Sequence, residues 1–230
     1  MAGVQNHLID LLPRAGRRSL LAICELVDLV LSDRLCASDE TTRYAYFPVN
    51  AIISLVTPID GKPVLEVGMV GREGMVGVEL ALGVLKSPLL AVVQGPGSAW
   101  RVPSVAFRRE LARSPALQLC LNRYLYVLMV QLCSSAACLR FHLIGPRLAR
   151  WLLMMQDRAH SDHFHVTHEF LAYMLGMRRV GITAAAGLLQ RDGLIEYRRG
   201  ELIVLSRRGL EAAACGCYAA DRRSYSRLLS

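Results

Sequence analysis

The chain has 230 residues, of which 53% are hydrophobic and 20% charged, a balance typical of folded proteins and not of disordered ones. Its formal net charge is +8, and arginine supplies 25 of the 27 basic side chains. The seven cysteines are odd in number and scattered, which excludes a secreted disulfide framework and offers no pair of CxxC motifs for zinc. We therefore predict reduced thiols, no cofactor, no metal and a cytoplasmic location, the more so because the first residues lack a secretory pattern.

One apolar segment, residues 124–139, resembles a membrane span. It is shorter than the roughly 18 residues that a span requires, and it contains Gln131, Ser134 and Ser135. We therefore predict that the protein has no membrane partner.

The first 114 residues change texture near residue 27. Two helices are predicted at 6–12 and 16–26, before short apolar runs separated by turn residues. Asp60-Gly61 between two such runs is a hairpin signal. Short strands at this spacing predict an antiparallel barrel or sandwich. The predicted strands are 27–31, 44–47, 51–56, 64–70, 75–78, 89–93 and 98–102.

A long helix follows a short one at 104–112. Ser114 is placed to cap it, and Pro115 stands at the first helical position, where a missing N–H does no harm. Its apolar residues recur at 4-3-4-3-4 spacing, which indicates either core packing or a dimer seam, and we favour the dimer. The seam residues are Leu121, Leu125, Leu128, Leu132, Ser135 and Leu139. Residues 115–144 are thus predicted to be a dimerisation helix.

Residues 145–230 have the pattern of a helix-turn-helix with a wing. Thr167 caps a short helix, Gly176 ends it, and a second helix over about 178–190 begins at Arg178 and Arg179. A small hairpin at 194–205 carries two further arginines at its tip. Residues 145–230 hold 13 arginines against 8 acids, hence +5, whereas the first 144 hold 14 basic against 11 acidic groups, hence +3. This excess of positive charge suits contact with DNA phosphates.

Four stretches resemble segments of a known protein family: LEVGMVGREGMVG (65–77), PRLARWLL (146–153), THEFLAYMLGMRRVGIT (167–183) and LLQRDGLIEYRRGELIVLSRRGLE (188–211). With the order of elements they resemble the Crp/Fnr family of bacterial transcription regulators over nearly the whole chain. The resemblance implies an α+β fold with an N-terminal antiparallel β-roll (jelly-roll-like), a long dimerisation helix and a C-terminal winged helix-turn-helix. It also implies a non-enzymatic homodimer on an inverted-repeat operator in double-stranded DNA, with RNA polymerase as a further partner.

The resemblance carries over to single residues of the DNA-binding half. Arg179 matches the arginine with which the family reads guanine, whereas Val180 stands where the family often has Glu and Ala184 replaces a second base-reading arginine. Arginine suits guanine because it donates two parallel hydrogen bonds to O6 and N7. The predicted DNA-binding residues are Thr167, Arg178, Arg179, Val180, Thr183, Arg198 and Arg199.

The sensor half departs from the family pattern. A cyclic-nucleotide pocket of the family needs a Glu for the ribose and an Arg-Ser pair for the phosphate, but this chain has Val78 and Ser87-Pro88-Leu89 there. No arginine lies between Arg72 and Arg101. We therefore expect no tight binding of cyclic AMP, and the effector is unknown. Cys24 and Cys36 alone do not supply the N-terminal cysteine cluster with which one branch of the family binds iron–sulfur, and nothing supports haem ligation.

Three other interpretations are less favoured. His160, His163, His165 and His168 cluster in sequence, but a set of surface polar groups is favoured over a metal site. Cys215-Gly216-Cys217 on a helix would point its two thiols apart, which disfavours a redox pair. No nucleophile–base set or phosphate loop indicates an enzyme. A small-molecule-sensing or scaffold module in which DNA binding is lost stays open as the alternative, although it leaves the paired arginines and the wing unexplained.

Overall fold

The computed structural model of the chain describes residues 6–59 and 62–229, so the predicted turn at Asp60-Gly61 lies outside the described residues. The N-terminal half folds into two antiparallel sheets, of strand order β1-β7-β3 and β2-β6-β4-β5. Its elements are α1 His7–Asp10, α2 Arg14–Leu21, β1 Glu25–Leu29, β2 Arg34–Cys36, β3 Tyr44–Pro48, β4 Ile52–Ile59, β5 Lys62–Val70, a 3₁₀ turn Val78–Leu82, β6 Leu90–Gly95, β7 Gly97–Pro103 and α3 Ser104–Arg113. The predicted β-rich α+β architecture is confirmed.

Three local predictions in this half differ from the structure. The helix expected over 16–26 ends at Leu21, and the strand β1 begins at Glu25. The short strand β2 is not among the predicted strands because three residues carry no periodicity. The strand expected at 75–78 is a single bridge between Tyr46 and Val76, because Gly77 (φ 87°) then turns the chain into a 3₁₀ helix.

The long helix α4, Pro115–Phe141, begins as predicted, with the Ser114 hydroxyl accepting from the Leu117 N–H at 3.2 Å. Its orientation differs from the prediction. Leu121 and Leu128 are 0% and 8% exposed and pack in the cores beneath the sheets, so they are closed to a partner chain. Leu125, Leu132 and Ser135 are partly buried, and Leu139 is exposed. The apolar stripe that does face solvent consists of Leu119, Tyr126, Met129, Cys133 and Ala136.

The exposed apolar stripe bears on whether helix α4 could span a membrane. By length and composition alone α4 could cross a membrane, with a mean hydropathy of 1.4 over its apolar window, of which 22% is buried. The helix has 27 residues and so exceeds the roughly 18 that a span requires, although the segment 124–139 within it is shorter. A core helix of a soluble protein meets the same criteria, and a dimer would cover the same stripe.

The C-terminal half contains α5 Ile144–Ala159, β8 His163–His165, α6 His168–Met174, α7 Arg179–Arg191, β9 Ile195–Arg198, β10 Glu201–Val204, α8 Arg207–Ala213 and α9 Cys217–Leu229. The segment expected as a polar connection, 160–165, contributes β8, which pairs with β10 and completes a small sheet of order β8-β10-β9. The single final helix expected after Ser206 is two helices. The corner between them holds Cys215. The prediction that the Cys-Gly-Cys motif lies on one helix is therefore wrong.

The last helix returns to the N-terminal half. Leu229 is 2% exposed in a core with Leu8 and Phe107, and the Tyr225 hydroxyl donates to the Glu73 carbonyl at 2.7 Å. The buried carboxylate of Asp221 pairs with Arg150 of α5 at 2.7 Å. Helix α9 therefore crosses the boundary expected near residue 145 and ties both halves to α4.

Candidate nucleic-acid interface

The corner between α6 and α7 is built from local signals that the sequence carries. The Thr167 hydroxyl accepts from the Phe170 N–H at 3.1 Å and so satisfies an orphan donor of the first turn. Gly176 adopts a left-handed conformation (φ 61°) after α6. The left-handed backbone favours glycine here, and a β-carbon would lie 2.8 Å from the terminal methyl of Leu65 of β5, a flexible side chain that can shift.

Helix α7 has one buried and one exposed face. Its inner face is Ile182, Ala185, Ala186 and Leu189, all buried against α5 and α6. The small alanines let the helices approach closely. Arg179, Val180, Thr183 and Ala184 face solvent, and Val180 is 76% exposed. The exposed Val180 side chain offers an apolar surface that suits contact with an apolar group such as a thymine methyl.

The hydroxyl of Thr183 is already engaged within the protein. It lies 3.1 Å from the Arg179 carbonyl, to which it donates, and 3.0 Å from His168 Nδ1. His168 stacks on Tyr197 with ring centroids 4.3 Å apart, and the Tyr197 hydroxyl donates to the Val166 carbonyl at 2.9 Å. Desolvation and then the Arg179 charge lower the pKa of His168, so its ring is neutral at pH 7 and fixes the start of α7. No sequence pattern signals this Thr–His–Tyr contact, because its members lie on three elements.

The wing carries the other predicted pair of arginines. Arg199 (φ 53°) and Gly200 (φ 87°) form the two-residue turn between β9 and β10, and two consecutive positive φ angles are typical of the type I′ hairpin. A β-carbon at Gly200 would lie 2.7 Å from the His165 ring. Arg198 and Arg199 are exposed at the tip.

The four histidines grouped in the sequence are separated in the fold. His163 and His165 each contact the Glu201 carboxylate at 2.7 Å, and these contacts, His165 first, lower the Glu201 pKa. His168 belongs to the stack with Tyr197, and His160 ends α5. Within the described part of the chain these histidines form no common metal site.

Positive charge on this face is available to a ligand. Within residues 6–59 and 62–229, no carboxylate lies within ion-pair distance of Arg178, Arg179, Arg198 or Arg199. Arg178 is the N-cap of α7, which has no side-chain cap, so the first N–H groups of a 13-residue helix point outward beside the arginines. Unpaired N–H groups, the helix dipole and guanidinium groups together favour an anion such as a DNA phosphate.

Polar contacts join helix α5 of the C-terminal half to strand β5 of the β-roll. The Trp151 indole N–H of α5 donates to Glu66 of β5 at 2.8 Å, and the Ser54 hydroxyl lies 2.5 Å from the second oxygen of the same carboxyl. Burial raises the Glu66 pKa to about 7 although these two hydrogen bonds oppose the shift. Arg158 of α5 pairs with Glu73 after β5 at 2.7 Å, which gives a second polar tie.

The stretch expected to hold a cyclic phosphate has no arginine, and its basic side chain is the exposed Lys86. The Ser87 hydroxyl is bonded to the backbone of Leu89, and the Thr42 hydroxyl contacts Glu79 at 2.5 Å. A carboxylate in that neighbourhood would repel an anion.

Comparison with known proteins gives two kinds of result. Residues 146–213 match the family model described as the Crp-like helix-turn-helix domain. A search of curated proteins finds no match.

Among solved structures, the c-di-GMP responsive global regulator CLP of Xanthomonas campestris is 15% identical, with a TM-score of 0.69 over 84% of this chain and 100% of its own. FixK2 of Bradyrhizobium japonicum is 14% identical, with a TM-score of 0.65 over 84% and 98%. A CRP-family transcriptional regulator of Thermus thermophilus is 18% identical, with a TM-score of 0.65 over 89% and 98%. The shared fold spans both halves, and the helix-turn-helix match lies where the exposed arginines do. Residues 146–213 thus form a Crp-like helix-turn-helix domain, and the whole chain has the fold of these Crp/Fnr-type regulators.

Proposed function

We propose that the protein is a cytoplasmic homodimeric transcription regulator that binds an inverted-repeat operator with α7 in the major groove. The observation that carries this proposal is the exposed face of α7 itself: Arg179, Val180 and Ala184 point outward at the free N-terminal end of a helix whose other face is buried. The arginine chemistry and helix position suit direct reading of base edges.

The wing supports the same orientation. Arg198 ends β9 and Arg199 begins the two-residue turn. Both are exposed, without carboxylate partners in the described residues, and so suit backbone phosphates flanking the groove. Thr183, whose hydroxyl is held by His168, is assigned to positioning α7 and to a phosphate contact, and not to base recognition. Thr167 likewise serves first as a cap.

A dimer is supported by the exposed stripe of α4. Leu119, Tyr126, Met129, Cys133 and Ala136 follow each other at spacings of 7, 3, 4 and 3 residues, which places them on one seam of a left-handed coiled coil. We therefore move the proposed seam from the Leu121–Leu128 side, which the protomer's own core occupies, to this face. Two-fold pairing through α4 would place the two recognition helices about 34 Å apart, one turn of DNA.

The sensor half is proposed to bind no cyclic mononucleotide tightly, because the stretch expected to hold the phosphate lacks the family's arginine and its Thr42 and Ser87 hydroxyls are already bonded within the protein. The same chemistry gives no basis in this stretch for carrying over the c-di-GMP response named for the Xanthomonas protein. Its effector is left unassigned.

Fluorescence anisotropy on a labelled pool of random duplex DNA, at several salt concentrations, tests DNA binding by this face. We compare the wild-type chain with the double variant Arg178→Ala/Arg179→Ala. The matched control, Arg108→Ala/Arg109→Ala, removes the same two charges from exposed positions of α3. If both α7 arginines contact DNA, affinity falls and the slope of log K against log salt decreases by about 2, whereas the control keeps nearly the wild-type slope. Equal effects in the two variants would reject α7 as the interface.

A further inference from the structure

Four potential metal ligands meet at the junction between α4, α5 and α9. Cys138 lies in the last turn of α4 and His142 is its C-cap, while Cys215 and Cys217 flank the α8–α9 corner. Cys138 and Cys215 are buried, and Cys217 and His142 are more exposed. One ligand atom from each of the four lies within 4.8 Å of every other. Residues 77 positions apart in the chain are thus brought to one point.

The distances match a single tetrahedral ion. Cys138 Sγ and Cys215 Sγ are 3.5 Å apart, and Cys217 Sγ is 3.7 Å from His142 Nδ1. For Zn–S near 2.3 Å and Zn–N near 2.0–2.1 Å, a tetrahedron has S···S edges of about 3.8 Å and S···N edges of about 3.6 Å. The two closest contacts already have nearly these lengths. A cluster of several metal ions would hold its ligands further apart.

The chain explains why both sets of ligands converge. Positions 138 and 142 are four residues apart and so lie on one face of the helix end. On the other side, the chain leaves helical geometry between Ala213 and Cys217. Both thiols of the Cys-Gly-Cys motif can therefore point the same way, which they could not do on a continuous helix.

The surrounding charge points to an anionic centre. Arg147 and Arg150 are both buried beside this cluster, but the one described carboxylate at ion-pair distance, Asp221, belongs to Arg150. Arg147 donates to the Leu175 carbonyl and to Met177 sulfur and has no carboxylate partner among the described residues. Buried charges are normally compensated. A divalent ion with three thiolates and a neutral imidazole carries one net negative charge, which would compensate Arg147.

We propose that Cys138, His142, Cys215 and Cys217 bind one zinc ion. Zinc is the commonest ion in closed sites of three thiolates and one imidazole. His142 lies between α4 and α5, and Cys217 begins α9. The ion would therefore join the α4–α5 connection to the N-terminal end of α9. This inference is independent of the operator-binding proposal because it rests on another part of the molecule.

The test uses the full chain purified under reducing conditions. We expect about one equivalent of zinc per chain by plasma mass spectrometry. After chelation, added Co²⁺ should give a tetrahedral spectrum with thiolate-to-metal charge transfer. Cys217→Ser and His142→Gln change the two more exposed ligands and so keep the fold intact, which circular dichroism verifies. Cys24→Ser is the matched control, because Cys24 is a free, partly buried cysteine that lies outside both the cluster and α4.

Losing the hydrogen-bond partner behind a ligand already weakens metal binding about 10–100-fold, so loss of a ligand should weaken Co²⁺ binding by at least about 100-fold. The control variant should bind Co²⁺ as the wild type does. Zinc should raise the melting temperature of the wild type and of the control variant, but not of Cys217→Ser or His142→Gln. An octahedral Co²⁺ spectrum would overturn the proposal. So would unchanged affinity in Cys217→Ser, or reduced protein that takes up no zinc because the four side chains are ordinary core thiols and a surface imidazole.

Discussion

The contact between Trp151 and Glu66 should make the stability of the protein depend on pH in an unusual direction. Burial raises the pKa of Glu66 from an ordinary value near 4.5 to about 7. The folded protein therefore holds a proton on this carboxyl between pH 4.5 and 7 where the unfolded chain has released it. Stability linked to this group is fully present below about pH 4.5 and is lost as the pH rises to about 7.

The magnitude follows from the two pKa values. Each tenfold change in proton affinity is worth about 1.4 kcal/mol, so the full shift corresponds to about 3 kcal/mol. Glu66 is partly exposed, which lowers the expected contribution to roughly 1–3 kcal/mol. Glu66→Gln removes the titration and keeps both hydrogen bonds, since an amide can accept from Trp151 and donate to Ser54.

The assay is urea denaturation of wild type and Glu66→Gln at one protein concentration, from about pH 5 to about pH 8. The difference in free energy of unfolding should grow with pH, so that the variant is more stable than wild type by roughly 1–3 kcal/mol at about pH 8 and about equal near pH 4.5–5. Glu79→Gln is the control, at an acid outside this contact. A difference that stays constant across this pH range, or that favours wild type at high pH, would refute the reasoning.

Three further outcomes are expected. Arg199→Asn keeps a residue that tolerates the left-handed turn but removes one phosphate contact, so the salt slope of DNA binding should fall by about 1, and an unchanged slope would remove the wing from the interface. Met129→Asp, 53% exposed on the α4 stripe, should shift sedimentation equilibrium to monomer without lowering monomer stability; a persisting dimer would place the seam elsewhere. Gly176→Ala should cost about 1–2 kcal/mol of unfolding free energy, because the left-handed backbone opposes a β-carbon. The helical control Gly145→Ala, in open space, should be neutral or stabilising, and equal effects of the two variants would contradict this.

Much of the DNA-binding half could be predicted because its signals are local. The Thr167 cap, the Gly176 corner and the Arg199-Gly200 turn are each set by conformational preferences of one or two residues. The exposed and buried faces of α7 follow from helical periodicity. Such features do not depend on what the rest of the chain does.

The rotation of α4 could not be predicted in the same way. The helix is apolar on several sides. Two apolar pairs repeat at seven-residue spacing, Leu121 with Leu128 and Leu119 with Tyr126. Periodicity therefore offers two seams, and only the packing of the sheets against Leu121 and Leu128 chooses between them.

The cluster around Cys138 and the return of α9 depend on contacts that are distant in sequence. Cys138 and Cys215 are 77 residues apart in the sequence. No local sequence pattern indicates that two residues so far apart are in contact. The alanines around Gly216 favour a continuous helix, and a continuous helix would separate two thiols that the fold brings together. Likewise, sequence proximity groups His168 with the other histidines, whereas its partners Tyr197 and Thr183 lie on other elements.

Selection of binding sites from random duplex DNA with the purified chain, repeated with Arg179→Ala, tests the central claim most directly. The account predicts an inverted repeat with half-sites one helical turn apart, and loss of preference at one guanine per half-site in the variant, worth about 1–3 kcal/mol. Enrichment of the same sequence by both proteins, or of a site without two-fold symmetry, would contradict the assignment of α7 as the recognition helix of a dimer.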